Sequence, residues 1–79
     1  MFELWSKGNC PMCDQTKHLL KSNNIEFIEK RIGTECTKEQ LLEIVPTAKS
    51  VPQILLDGNL IGGLSELKQF LTEQKHKNV

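Results

Sequence analysis

Two cysteines separated by Pro11 and Met12 stand where a strand-like segment gives way to a helix-like one, and that junction limits what the chain can build. Phe2 to Trp5 is short and rich in apolar residues, and Ser6, Lys7, Gly8 and Asn9 end it, the pattern of a strand running into a loop. Proline is tolerated at the first helical position because its missing N–H has no intrahelical acceptor there. Cys10 therefore falls at an N-cap. Met12, Leu19 and Leu20, with Thr16 between them, predict a one-sided apolar stripe on the helix behind it, which should fade around Ser22, Asn23 and Asn24.

Beyond that helix, Ile25, Phe27 and Ile28 alternate with charges, as in a second strand that Gly33 and Thr34 break. Thr37 with Gln40 three residues later has the capping-box signature, ahead of Leu41, Leu42, Ile44 and Val45. This second helix should end near Pro46. Ile54 to Leu56 and Leu60 to Ile61 flank Asp57-Gly58, a dipeptide that favours a tight hairpin turn, so these two strands should be antiparallel neighbours. Gly62 and Gly63 lead into Leu64, Leu67, Phe70 and Leu71, an amphipathic third helix, and residues 75–79 form a polar tail expected to fray. The order is β-α-β-α-β-β-α, without internal repeat. A βαβ unit wants parallel strands and a right-handed crossover whereas a hairpin is antiparallel, so the sheet should be mixed.

Seventy-nine residues suit a single domain, 1–79, with a modest core. Ten basic and ten acidic residues cancel, and neither a nucleic-acid nor a membrane surface is suggested. The opening residues lack the pattern of a signal peptide, and no apolar run reaches membrane-spanning length, so a reducing cytosol is the expected compartment. Three cysteines do not complete a disulfide framework, and two of them are too close in sequence to close a useful loop.

Chemistry remains as a reason for the pair. Cysteine attacks as its thiolate, yet a free thiol with a pKa of about 8.5 is mostly protonated at neutral pH. Backbone N–H groups at a helix start, the helix dipole and the nearby Lys7 all favour negative charge on Cys10. Cys13, one turn on and more buried, is placed to resolve what Cys10 forms. Cys10 attacks a disulfide, a mixed disulfide results, and Cys13 closes a Cys10–Cys13 bond and frees the product. Pro11 stiffens the turn, and Met12 presents an adaptable apolar side chain beside the nucleophile.

Zinc sites use the same C-x-x-C spacing, but only Cys36, His18 and His76 remain to complete one, and both histidines read as solvated. Cys36 reads as an incidental thiol, with a regulatory or dimer-forming disulfide as the sharper alternative. Trp5 reads as a core or edge aromatic.

Three features in order, K-x-x-C-P-x-C at Lys7 to Cys13, the Val51-Pro52 pair, and Gly62-Gly63-Leu64-Ser65-Glu66 entering the last helix, make the chain resemble a glutaredoxin of the thioredoxin superfamily. That resemblance covers almost the whole sequence. It implies an α/β thioredoxin-like fold, a four-stranded mixed sheet flanked by three helices, with a cis peptide before Pro52. It also implies a monomeric glutathione-dependent thiol–disulfide oxidoreductase that reduces protein disulfides and glutathione mixed disulfides. Cys10 and Cys13 would be its catalytic, redox-active pair.

Lys7, Met12, Val51, Pro52, Gly63, Leu64, Ser65 and Glu66 would then hold glutathione. The backbone of Val51 would pair with its cysteine moiety, the N–H groups after the double glycine would take its γ-glutamyl carboxylate, and Glu66 its amino group. Glutathione would be the reducing co-substrate, with no bound cofactor and no metal. Ribonucleotide reductase is a frequent client in the family, although no residue here selects it. Members commonly carry tyrosine where Met12 stands. For the glycine carboxylate, Lys38, Glu39 and Gln40 cover the region the family uses. The alternatives are a thioredoxin-like electron carrier, against which the absence of W-C-G-P-C argues, and an iron–sulfur or zinc module, against which Pro11 and Cys13 argue.

Overall fold

A computed structural model of the chain describes residues 1–77, with side chains through residue 73; the His76 side chain and the chain end at residues 78–79 lie outside the described residues. The elements are β1 (Phe2–Ser6), α1 (Pro11–Ser22), β2 (Phe27–Arg31), α2 (Lys38–Ile44), β3 (Gln53–Leu56), β4 (Asn59–Gly62) and α3 (Leu64–Lys77), in the expected order. The sheet runs β2-β1-β3-β4, with β1 parallel to β2, antiparallel to β3, and β3 antiparallel to β4. It is the mixed four-stranded sheet with three helices that the βαβ and hairpin signals imply.

Because side chains alternate across a strand, β1 and β3 feed two cores at once. Leu4 and Ile54, register partners, face Leu20 of α1 and Leu67 of α3, and all four are fully buried. Trp5 and Leu55 face the opposite side, against Leu41 and Val45 of α2 and its C-cap. Trp5 is thus a core residue. Its indole Nε1 donates to Glu3 Oε2 at 2.6 Å, and Lys30 lies 5.2 Å from its ring centroid while pairing with Glu3 at 3.4 Å, so the one polar atom of a buried aromatic is satisfied.

In α1 the buried positions are Cys13, Thr16 and Leu20, spaced by three and four residues as one helix face requires. Met12 does not belong to the buried stripe that its apolar character suggested. It sits about 100° around the helix from Cys13 and is 49% exposed. Thr37 and Gln40 close the capping box of α2 in both directions: Gln40 N–H donates to Thr37 Oγ1 at 3.1 Å and Thr37 N–H to Gln40 Oε1 at 2.8 Å. The hairpin turn has Asp57 at φ 51° and Gly58 at φ 83°, the positive pair that a primed turn needs.

Candidate active site

The site is assembled at one end of the sheet by four chain segments: the loop after β1, the first turn of α1, the loop before β3, and the start of α3. Asn9 has φ 51°, a left-handed conformation that asparagine tolerates better than most residues, and it turns the chain from β1 into α1. Cys10 follows with extended backbone as the N-cap, Pro11 opens the helix, and the Cys13 N–H donates to Cys10 Sγ at 3.1 Å. The sulfur thus stands where a serine or aspartate oxygen usually caps a helix. That N–H and the helix dipole favour the thiolate of Cys10 once the pair is reduced.

Cys10 and Cys13 are joined as a disulfide, with Cα atoms 5.2 Å apart. Both cysteines are buried, Cys13 the more completely. Beneath them, Ser6 Oγ, fully buried at the end of β1, donates to Glu29 Oε2 at 2.6 Å, and Lys17 Nζ of α1 pairs with the same oxygen at 3.2 Å. The Ser6 hydrogen bond, with help from Lys17 and Arg31 against the cost of partial burial, holds the Glu29 carboxyl below its ordinary range. This network ties β1, β2 and the helix that carries the sulfurs.

Opposite α1, the Val51-Pro52 peptide is cis. Val51 stands outside the ladder of β3, and among the described residues its N–H and C=O have no hydrogen-bond partner. Met12, Val51, Pro52, Gly63, Leu64, Ser65 and Glu66 all line one groove of about 290 Å³. The start of α3 explains the double glycine. At Gly62, φ is 129° and an added Cβ would sit 2.7 Å from Glu66 Cγ. The Gly63 N–H donates to Glu66 Oε1 at 2.7 Å, and the Gly63 carbonyl accepts the first helical bond from Leu67, which makes Gly63 the N-cap. Having no side chain, this cap leaves the N–H groups of Leu64, Ser65 and Glu66 open to a ligand.

Lys7 lies in an adjoining pocket of about 190 Å³ together with Lys38, Lys49, Leu41, Leu42 and Ala48; Ser50 and Val51 border both spaces. Of Lys38, Glu39 and Gln40, Lys38 lines this pocket, whereas the Gln40 side chain is occupied in the α2 cap. Lys49 is a residue the sequence reading missed. Its available signal was position: it stands two residues before Val51, on the loop that returns to the sulfurs. Cys36 lies apart, beside Trp5, Lys30 and Ile44. Burial, and the charge of Glu35, push its thiol up from the usual value. His18 is exposed on α1, and among the described residues no three histidine, cysteine or acidic side chains are grouped to hold a metal.

The glutaredoxin family model matches residues 2–61. A glutaredoxin-like 8.6 kDa protein of the rubredoxin operon of Clostridium pasteurianum is 32% identical over 66 residues, covering 84% of this chain and 88% of that protein. Glutaredoxin 3 of Escherichia coli is 34% identical over 65 residues, 82% of this chain and 78% of its own. The crystal structure of glutaredoxin 1 from Francisella tularensis, solved with cacodylate, superposes with a TM-score of 0.79 at 26% identity and covers 95% of both chains. The residues the family model matches include the helix-capping cysteine pair, so the chain belongs to the glutaredoxin family of thiol–disulfide oxidoreductases, with the thioredoxin-like fold.

Proposed function

We propose that the protein is a dithiol glutaredoxin that reduces glutathione mixed disulfides and protein disulfides and is re-reduced by glutathione. The observation that carries this reading is the groove running from Val51 to the start of α3, lined by Met12 between the two cysteines, with the lysine pocket at its other end. Glutathione has a zwitterionic γ-glutamyl end and a bare carboxylate at its glycine end, and the two ends of the site differ in the same way. The open N–H groups of Leu64 and Ser65 suit the γ-glutamyl carboxylate, and the second oxygen of Glu66 suits its ammonium. Lys7, Lys38 and Lys49 suit the glycine carboxylate. Between them the Val51 backbone pairs with the cysteine moiety as an added strand would, and Met12 covers it.

Chemistry then follows from sulfur positions. The Cys10 thiolate attacks the glutathione sulfur of a mixed disulfide, and the client leaves as a thiolate. A second glutathione thiolate attacks that bond, releasing glutathione disulfide and restoring Cys10. With a protein disulfide, the buried Cys13 instead displaces the client from Cys10 and closes the internal bond. The protein acts as a monomer in a reducing cytosol and needs no bound cofactor.

Turnover of a glutathionylated peptide, measured with glutathione and glutathione reductase and in parallel with thioredoxin reductase alone, tests the reading. Activity is expected only in the glutathione arm. Reduction by thioredoxin reductase without turnover by glutathione would identify a thioredoxin-like carrier instead.

A further inference from the structure

Zero net charge conceals a separation of charge across the central groove. On one side, Lys7, Lys38 and Lys49 come from three separate segments to rim a pocket floored by Leu41, Leu42 and Ala48, and among the described residues none of the three is in an ion pair. On the other side, the central groove shares Glu66 with a third groove of about 470 Å³, which follows α3 along β4. That groove has Leu60 and Phe70 on its floor and Glu66 and Glu73 on its rim; Asp57, also there, is held by the N-terminal ammonium at 2.5 Å. Leu60 is 49% exposed, and β4 is the last strand of the sheet, so among the described residues its outer backbone edge has no strand partner. Basic and acidic grooves, each with an apolar floor, thus adjoin the central groove from its two ends, through Ser50 and Val51 on one side and Glu66 on the other.

Glutathione is too short to use both. Glu66 and Glu73 are about 10 Å apart along the axis of α3, the length of three extended residues. We infer that the three adjoining grooves form one docking track for an extended polypeptide disulfide, carrying basic residues a few places before its cysteine and acidic residues after it. The inference rests on the glutathione reading for its direction: the residue after the substrate cysteine takes the place of glycine, toward the lysines, and preceding residues continue past the γ-glutamyl site toward Glu73. The occupant follows from charge complementarity on both sides and from continuity with the catalytic groove. Cys10 forms a disulfide with one peptide and expels the other as a thiolate; Cys13 then attacks Cys10 and expels the first. Two electrons pass from the dithiol to the substrate bond.

The test uses the reduced full-length protein and symmetric disulfides of two acetylated, amidated peptides of equal composition. One has two arginines before the cysteine and two glutamates after it; the other has the order reversed. Single-turnover rates at low salt, each divided by the rate with dithiothreitol to remove intrinsic reactivity, should favour the first peptide by about tenfold, as expected when several exposed charge pairs change sign. High salt should shrink the preference. Glu73→Lys should reduce it while leaving turnover of a small glutathione mixed disulfide unchanged, and Lys49→Glu should reduce it further. Equal normalised rates for the two orders at low salt would overturn the inference. A protein that turns over glutathione but treats both peptides alike loses this inference only; one that keeps the preference but ignores glutathione loses the glutathione reading instead.

Discussion

Two cysteines of this chain stand at helix entrances, one residue out of step with each other. Cys10 is itself the N-cap of α1, and its sulfur receives the Cys13 N–H. Cys36 precedes the N-cap of α2, where Thr37 Oγ1 takes the Gln40 N–H and Gln40 returns the bond. At α1 the sulfur meets the positive end of a helix, with Pro11 donating nothing in competition. At α2 a hydroxyl and an amide have closed that position, and partial burial and the Glu35 carboxylate push the pKa of the neighbouring thiol up, against the opposing charge of Lys30. On the proposed function, a shift of one residue along the chain separates the attacking thiol from one that takes no part.

The largest expected effect of breaking this comparison is at the first entrance. Cys10→Ser should reduce thiol–disulfide exchange to the uncatalysed rate, while Cys13→Ser should keep part of the turnover of a glutathione mixed disulfide, because the first step needs only one thiolate; a coupled glutathione assay reads both. Cys36→Ser should leave that activity unchanged.

Ser6 and Glu29 support the first entrance, and among the described residues the second has only its own capping box. Ser6→Ala should destabilise the protein by about 1–2 kcal/mol at neutral pH, the order for losing a partly buried hydrogen bond to a charged group. Glu29 has its folded-state pKa depressed, chiefly by Ser6, so its contribution is present above the unfolded value of about 4.3 and is lost as pH falls through the lower folded value. The stability gap between the variant and the parent should therefore narrow on acidification, as urea denaturation between neutral and acidic pH would reveal. Thr37→Ala, at the second entrance, should cost about 1 kcal/mol in the same experiment and leave catalysis intact. Glu35→Gln removes the lesser of the two main causes holding the Cys36 thiol up. Its alkylation at fixed, mildly alkaline pH should quicken by a factor of about two, the size of an exposed charge effect.

Local signals carried most of the architecture. Pro11 after Cys10, Thr37 with Gln40, and Asp57-Gly58 each specify backbone within four residues, and the structure has an N-cap, a capping box and a hairpin there. The glutaredoxin resemblance, read from Lys7 to Cys13, Val51-Pro52 and the double glycine, is matched by the family model and by the fold. What was not legible depends on helical phase and on distance in sequence. Met12 is apolar and near a stripe, but its phase places it outside the buried face, where it lines the groove instead. Lys49 has no local pattern at all. It joins Lys7 and Lys38 only because the chain after α2 folds back across the end of the sheet.

The N-cap position is expected to make Cys10 a thiolate at neutral pH. Site-resolved alkylation of the reduced protein as a function of pH, with Cys10 and Cys36 followed by mass spectrometry in the same sample, measures it directly. The account predicts a midpoint for Cys10 within the range of about 3.5–7.5 found for cysteines at helix N-termini, and one for Cys36 above the free-thiol value of about 8.5. A Cys10 midpoint at or above that of Cys36 would contradict it.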